Sequence, residues 1–128
     1  MKTLTIVGLT LMTLCVLSCG KKARTQKLDG ELMHTVLFWL AEDANELAFI
    51  DGTNQFLKSI KEVKTFYVGI PAMTPRDVVD NTYSVYITMT FEKKEDLKTY
   101  LDHPLHLAYV EANKEKWDKV LIYDVVGD

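Results

Sequence analysis

The sequence predicts an α+β fold: a four-stranded antiparallel sheet with helices on one face. Three observations predict it. Four short runs are rich in β-branched and aromatic residues, the stretches between them carry helical periodicity, and 128 residues suit a single core. At 48% apolar and 26% charged, the composition is that of a globular module rather than a disordered chain.

The first run, HTVLFWL at 34–40, sets His34, Val36, Phe38 and Leu40 on one face and Leu37 and Trp39 on the other. Apolar residues on both faces imply a strand covered on both sides. From 42 to 60 the helical period places Phe49, Thr53, Phe56, Leu57 and Ile60 on one stripe. One helix is expected there, with Gly52 as the place where it would bend, since glycine costs about 1 kcal/mol against alanine inside a helix. VKTFYVGI (63–70) reads as a second strand ended by Pro71, and 71–82 as a loop. YSVYITMTF (83–91) alternates, with Tyr83, Val85, Ile87, Met89 and Phe91 facing one way and Ser84, Tyr86, Thr88 and Thr90 the other.

Two helices follow. Leu97, Tyr100 and Leu101 form the inward stripe of the first, and Pro104 opens the second, where its missing N–H is harmless, with Asp102 or His103 as the cap. The period from Pro104 groups His106, Tyr109, Val110, Asn113 and Trp117 on one face. KVLIYDVV (119–126) is the last strand. The order β-α-β-β-α-α-β suits a ferredoxin-like arrangement, which leaves one sheet face bare. With Leu37, Trp39 and Tyr86 on that face, pairing with a second sheet is expected, giving a homodimer in the form of a dimeric α+β barrel.

The N-terminus carries different information. Lys2 precedes an apolar stretch from Leu4 to Leu17, about 21 Å long as a helix and short of the roughly 30 Å hydrocarbon core, so a cleaved leader over 1–18 is expected. Val16-Leu17-Ser18-Cys19 resembles a bacterial lipobox, in which the cysteine is acylated and becomes the new N-terminus. Several acyl chains exceed the threshold for stable anchoring. Residues 19–33, with Lys21, Lys22, Arg24 and Lys27, read as a tether to the domain at 34–126. The resemblance implies a lipid-anchored membrane lipoprotein of the bacterial cell envelope, and Gly20 after the cysteine implies the outer membrane, facing the periplasm.

Several function classes are excluded. The net charge is −3, and without Lys2 it is −4, so no basic face invites nucleic acid. Cys15 lies in the leader and Cys19 at the start of the tether, leaving the domain without a disulfide or a cysteine nucleophile. No GxGxxG, P-loop, GxSxG or HExxH is present. His103 and His106 are three apart and His34 is available, but His103 serves equally as a cap beside Pro104, and no metal or cofactor is expected.

HTVLF at His34, YSVYITMTFEKKEDLKTYLDHPLH from Tyr83 to His106, and WDKVLIYDVV from Trp117 to Val126 together resemble the stress-responsive A/B barrel domain (Dabb) family. The resemblance implies the same sandwich, dimerised through its sheets. A plant member cyclises a linear polyketide by intramolecular aldol chemistry with a tyrosine and a histidine as its acid/base pair. These map onto Tyr100 and His106, and the family's first-strand histidine onto His34. A further histidine of that enzyme corresponds to Val85, a departure that sets this chain apart from the plant enzyme. His34, Tyr83 and Trp117 are the ligand-binding residues expected around the pair, and a small hydrophobic molecule is the expected ligand. Three readings stay open: a binding or stress-associated module, an enzyme acting on a carbonyl compound, and a purely structural dimer in which Tyr100 and His106 only fill the core.

Overall fold

The computed structural model describes residues 28–127, so the leader, Cys19 and most of the tether lie outside the described residues. The order is β1 (Leu32–Leu40), α1 (Glu46–Lys58), β2 (Thr65–Gly69), β3 (Val85–Phe91), α2 (Lys94–Leu101), α3 (Pro104–Asn113) and β4 (Trp117–Val126). All strand pairs are antiparallel, in the order β2-β3-β1-β4 across the sheet, which is the expected ferredoxin-like arrangement.

Local chemistry explains the boundaries. Asn45 caps α1 by accepting from the Ala48 N–H at 2.9 Å, with Glu46 in the first turn and Lys58 in the last, as the helix dipole favours. Gly52 does not break α1, and nothing stands where its side chain would be. At the start of α2, Asp96 accepts from the Lys93 N–H at 3.1 Å. His103 caps α3 by accepting from the Leu105 N–H at 3.1 Å, and Pro104 occupies the first turn as expected.

Two expectations about boundaries need correction. Trp117 is not on α3: the helix ends at Asn113, a 3-10 turn (Lys114–Lys116) redirects the chain, and Trp117 opens β4 opposite Leu40. A helical offset of eleven residues put it on the right face by coincidence of period. Tyr83 precedes β3, whose regular pairing begins at Val85 after the Ser84 N–H bonds the Phe38 carbonyl at 2.7 Å.

The sheet faces follow the alternation. Leu32, His34, Val36 and Phe38 of β1 and Val85, Ile87, Met89 and Phe91 of β3 are buried on the helix side with Phe49 and Leu57 of α1 and Tyr100 of α2. The opposite face carries Tyr67, Tyr123 and Val125 exposed, around hydroxyl pairs Thr35–Thr88 (3.1 Å) and Thr65–Thr90 (2.7 Å). No helix of the described residues is long and apolar enough to cross a membrane.

Candidate functional site

The helix side of the sheet is not filled evenly. Beneath α2 and α3, against β1, β3 and β4 and bounded by Phe56 and Leu57 of α1, lies a cavity of about 230 Å³. Its wall is aliphatic and aromatic apart from His34, Tyr100, His106 and the indole of Trp117. In size it falls between the roughly 150 Å³ that houses benzene and the roughly 300 Å³ at which drug-sized pockets begin.

β1 delivers the first polar group. His34 sits in register with Met89 on one side and Asp124 on the other, buried on the cavity face. Its Nδ1 is 2.5 Å from Asp124 Oδ1. The carboxylate accepts, so His34 Nδ1 carries the proton and the ring orientation is set by a residue ninety positions away.

Helix α2 delivers the second. Tyr100 is buried with its ring against Phe91 (5.3 Å between centroids), between His34 (6.0 Å) and His106 (4.6 Å). Burial pushes its phenol well above the usual tyrosine pKa, and the neighbouring Tyr109 adds to the shift. The group therefore stays protonated and acts as a hydrogen-bond donor. Among the described residues its hydroxyl has no protein hydrogen-bond partner.

The third comes from the α2–α3 junction. His103 is occupied as the cap, whereas His106, one turn on, lines the cavity. His106 Nδ1 lies 3.0 Å from the Leu101 carbonyl, which can only accept, so Nδ1 donates and the neutral ring leaves Nε2 with a free lone pair. Burial lowers the His106 pKa, the Leu101 carbonyl opposes this, and His34 and His103 push further in the direction of burial. A neutral imidazole beside a protonated phenol is an acid/base pair with complementary ends.

Below these groups, Phe56 stacks on Tyr109 at 4.3 Å and 11°. Thr53 donates to the Phe49 carbonyl at 2.7 Å, so the Tyr109 hydroxyl, 2.7 Å from Thr53 Oγ1, is the donor of that pair. Tyr109 is thus a satisfied structural tyrosine, its pKa pushed up to about 12 by burial against the pull of Thr53.

The structure brings His34, Tyr100, His106 and Trp117 to one cavity. It does not bring Tyr83, whose ring neighbours Tyr86, a residue of the other sheet face, at 6.4 Å. Tyr83 shares the parity of the core residues, but it lies outside the paired strand that would enforce that parity. Sequence reasoning missed Asp124. A lone aspartate near the end of a strand reads as a solvated side chain, and only the register between β1 and β4 shows it beneath His34. Val110 and Leu101, expected in the core, instead form the partly exposed rim of the cavity. No group of three or more His, Cys, Asp or Glu able to hold a metal occurs among the described residues.

Comparison with known proteins agrees with this architecture. A stress-response A/B barrel domain-containing protein of Arabidopsis thaliana is 26% identical over 91 residues, covering 71% of this chain and 81% of its own. Olivetolic acid cyclase of Cannabis sativa is 33% identical over 42 residues, which cover 33% of this chain and 42% of the cyclase. Among solved structures, a Dabb family protein with a ferredoxin-like fold from Mesorhizobium loti superposes with a TM-score of 0.64 at 28% identity, covering 78% of this chain and 99% of that one. A dimeric ferredoxin-like protein from Bacteroides fragilis gives 0.60 at 23%, covering 77% and 98%. Hydroxynitrile lyase of Passiflora edulis gives 0.64 at 16%, covering 77% and 94%. The sequence model of the stress-responsive A/B barrel domain matches residues 32–126, nearly the whole described fold, and the chain belongs to the Dabb family.

Proposed function

We propose that this protein is a homodimeric binding protein for a small, neutral, hydrophobic molecule held beneath α2 and α3. One observation carries the reading: an apolar cavity of about 230 Å³ has its few polar groups gathered at His34, Tyr100 and His106. An aliphatic wall with a few convergent polar groups is how small-molecule sites are built. The absence of a charged side chain from the lining favours an uncharged ligand. The dimer follows from the exposed Tyr67, Tyr123 and Val125 on the bare sheet face, and relatives of the same fold are dimeric. Native mass spectrometry of the purified protein tests the binding reading. Wild type should carry a small molecule that His106→Ala loses; an empty wild type counts against it, as gel filtration giving a monomer at micromolar concentration counts against the dimer.

A second reading, catalysis at a carbonyl compound, is favoured by the His106 tautomer and by the Tyr100 hydroxyl, which has no hydrogen-bond partner among the described residues. His106 Nε2 would take a proton from the carbon beside the carbonyl while Tyr100 donates to the oxygen on which charge develops. Two of the relatives are named as enzymes, a cyclase and a lyase. Tyr100→Phe separates the readings, since loss of turnover with retained binding assigns the phenol a chemical role. For the N-terminus, the proposal is acylation at Cys19 and anchoring to the cell envelope, with Cys19→Ser expected to release the protein from the membrane fraction.

A further inference from the structure

The cavity is open on one side. Its rim beside β4 consists of Leu101, Val110 and Ile122, all partly exposed, with Ile122 at 50% although it points to the helix side of the sheet. A second apolar feature is equally unexplained. The loop between β2 and β3 exposes Ile70, Met73 and Val78, the last at 83%. Met73 holds a left-handed backbone (φ 54°) that a side chain resists, and the Asn81 amide donating to the Thr74 carbonyl at 3.1 Å braces the same turn.

We infer that these two features meet in the homodimer: the β2–β3 loop of a second copy closes the cavity mouth. This rests on the homodimer proposed above and adds that the ligand site is incomplete in one copy. The register supports it. Gly69, the last residue of β2, lies opposite Tyr86, which lies opposite Leu37, which lies opposite Leu121 of β4. The loop therefore leaves the sheet at the level of Val120 and Ile122. When two sheets of order β2-β3-β1-β4 pack face to face about an axis along the strands, the β2 edge of one copy stands against the β4 edge of the other. That axis preserves the level along the strands. Passing round the free edge of β4 to its helix side, the exposed loop side chains then arrive beside Ile122 and Val110, so apolar surface on both copies is covered by one contact. A closed mouth would keep water from the Tyr100–His106 pair and make ligand release depend on loop movement.

The test is photo-cross-linking in the full-length protein with Val78→p-benzoylphenylalanine, in dimers mixed from light and 15N-labelled copies. Mixed-isotope adducts on Leu101, Val110 or Ile122 are the expected result. Adducts confined to the same chain, interchain adducts limited to Tyr67, Tyr123 or Val125, or the absence of interchain adducts would each overturn the inference. Cross-linking reads the contact with no ligand present, so its failure is distinct from a failure of the binding reading. In that reading Val78→Asp should speed release of the neutral apolar probe N-phenyl-1-naphthylamine about fivefold, with the dimer intact.

Discussion

The two halves of the helix layer are built differently. Under α1, the side chains of Phe49, Thr53 and Leu57 are fully enclosed and meet Phe38 and the buried run of β3. Over β4, α3 has no buried residue: Leu105, Leu107 and Val110 stay exposed, and only His106 and Val110 of this helix look onto the cavity. One half is a core and the other is a cover over a hollow. Of the apolar residues of α3, Val110 walls the site while Leu105 and Leu107 face solvent, so they do not mark a core; Leu57 of α1, fully enclosed, borders the same hollow from the core side.

The sharpest way to break this comparison is truncation on each side. Phe49→Ala, buried on α1 against Phe38, should cost about 3–5 kcal/mol in urea unfolding, whereas Leu107→Ala on α3 should stay within about 0.5 kcal/mol. Similar losses at both positions would mean that α3 is core after all.

A smaller effect is expected where the halves meet. Asp124→Ala leaves the buried His34 Nδ1–H without its acceptor and should cost about 1–3 kcal/mol, while Asp124→Asn, which keeps an acceptor oxygen, should recover most of it. Equal losses in both variants would show that the carboxylate's charge, not its hydrogen bond, holds His34.

Smaller again is Tyr109→Phe. The Thr53 hydroxyl keeps its bond to the Phe49 carbonyl and only the phenol's own bond is removed, so about 1 kcal/mol should be lost with ligand binding unchanged. A binding defect would place Tyr109 in the site.

The smallest expected effect is a dependence on pH. Burial lowers the His106 pKa, so just below the ordinary imidazole value the unfolded chain binds the proton and the folded one does not. The contribution of neutral His106 is complete above about pH 6.5 and is lost as the pH falls through the folded pKa. Wild type should thus lose more stability than His106→Gln between neutral and mildly acid pH, as read from urea midpoints.

The same contrast explains what the chain disclosed. Strand alternation and the stripe of α1 are local patterns tied to burial, and they locate β1, β3 and the core face residue by residue. His103 and Pro104 at the helix junction are also local signals. The Tyr100–His106 pair was legible because two inward stripes and a family motif coincide there. Asp124 and the misplacement of Tyr83 were not legible, since one depends on strand register across ninety residues and the other on where pairing stops. The exposure of α3 was hidden for a further reason: a helix that walls a hollow and a helix that fills a core share one apolar pattern.

The most direct test of the hollow is energy transfer from Trp117, which lines it, in Trp39→Phe protein, where Trp117 is the only tryptophan. Titration with N-phenyl-1-naphthylamine should give saturable quenching at one probe per chain, abolished by Val110→Trp in the Trp117→Phe, Trp39→Phe background as read from probe emission. Quenching that never saturates, or a probe that binds as well when Val110→Trp fills the mouth, would contradict a ligand site beneath α2 and α3.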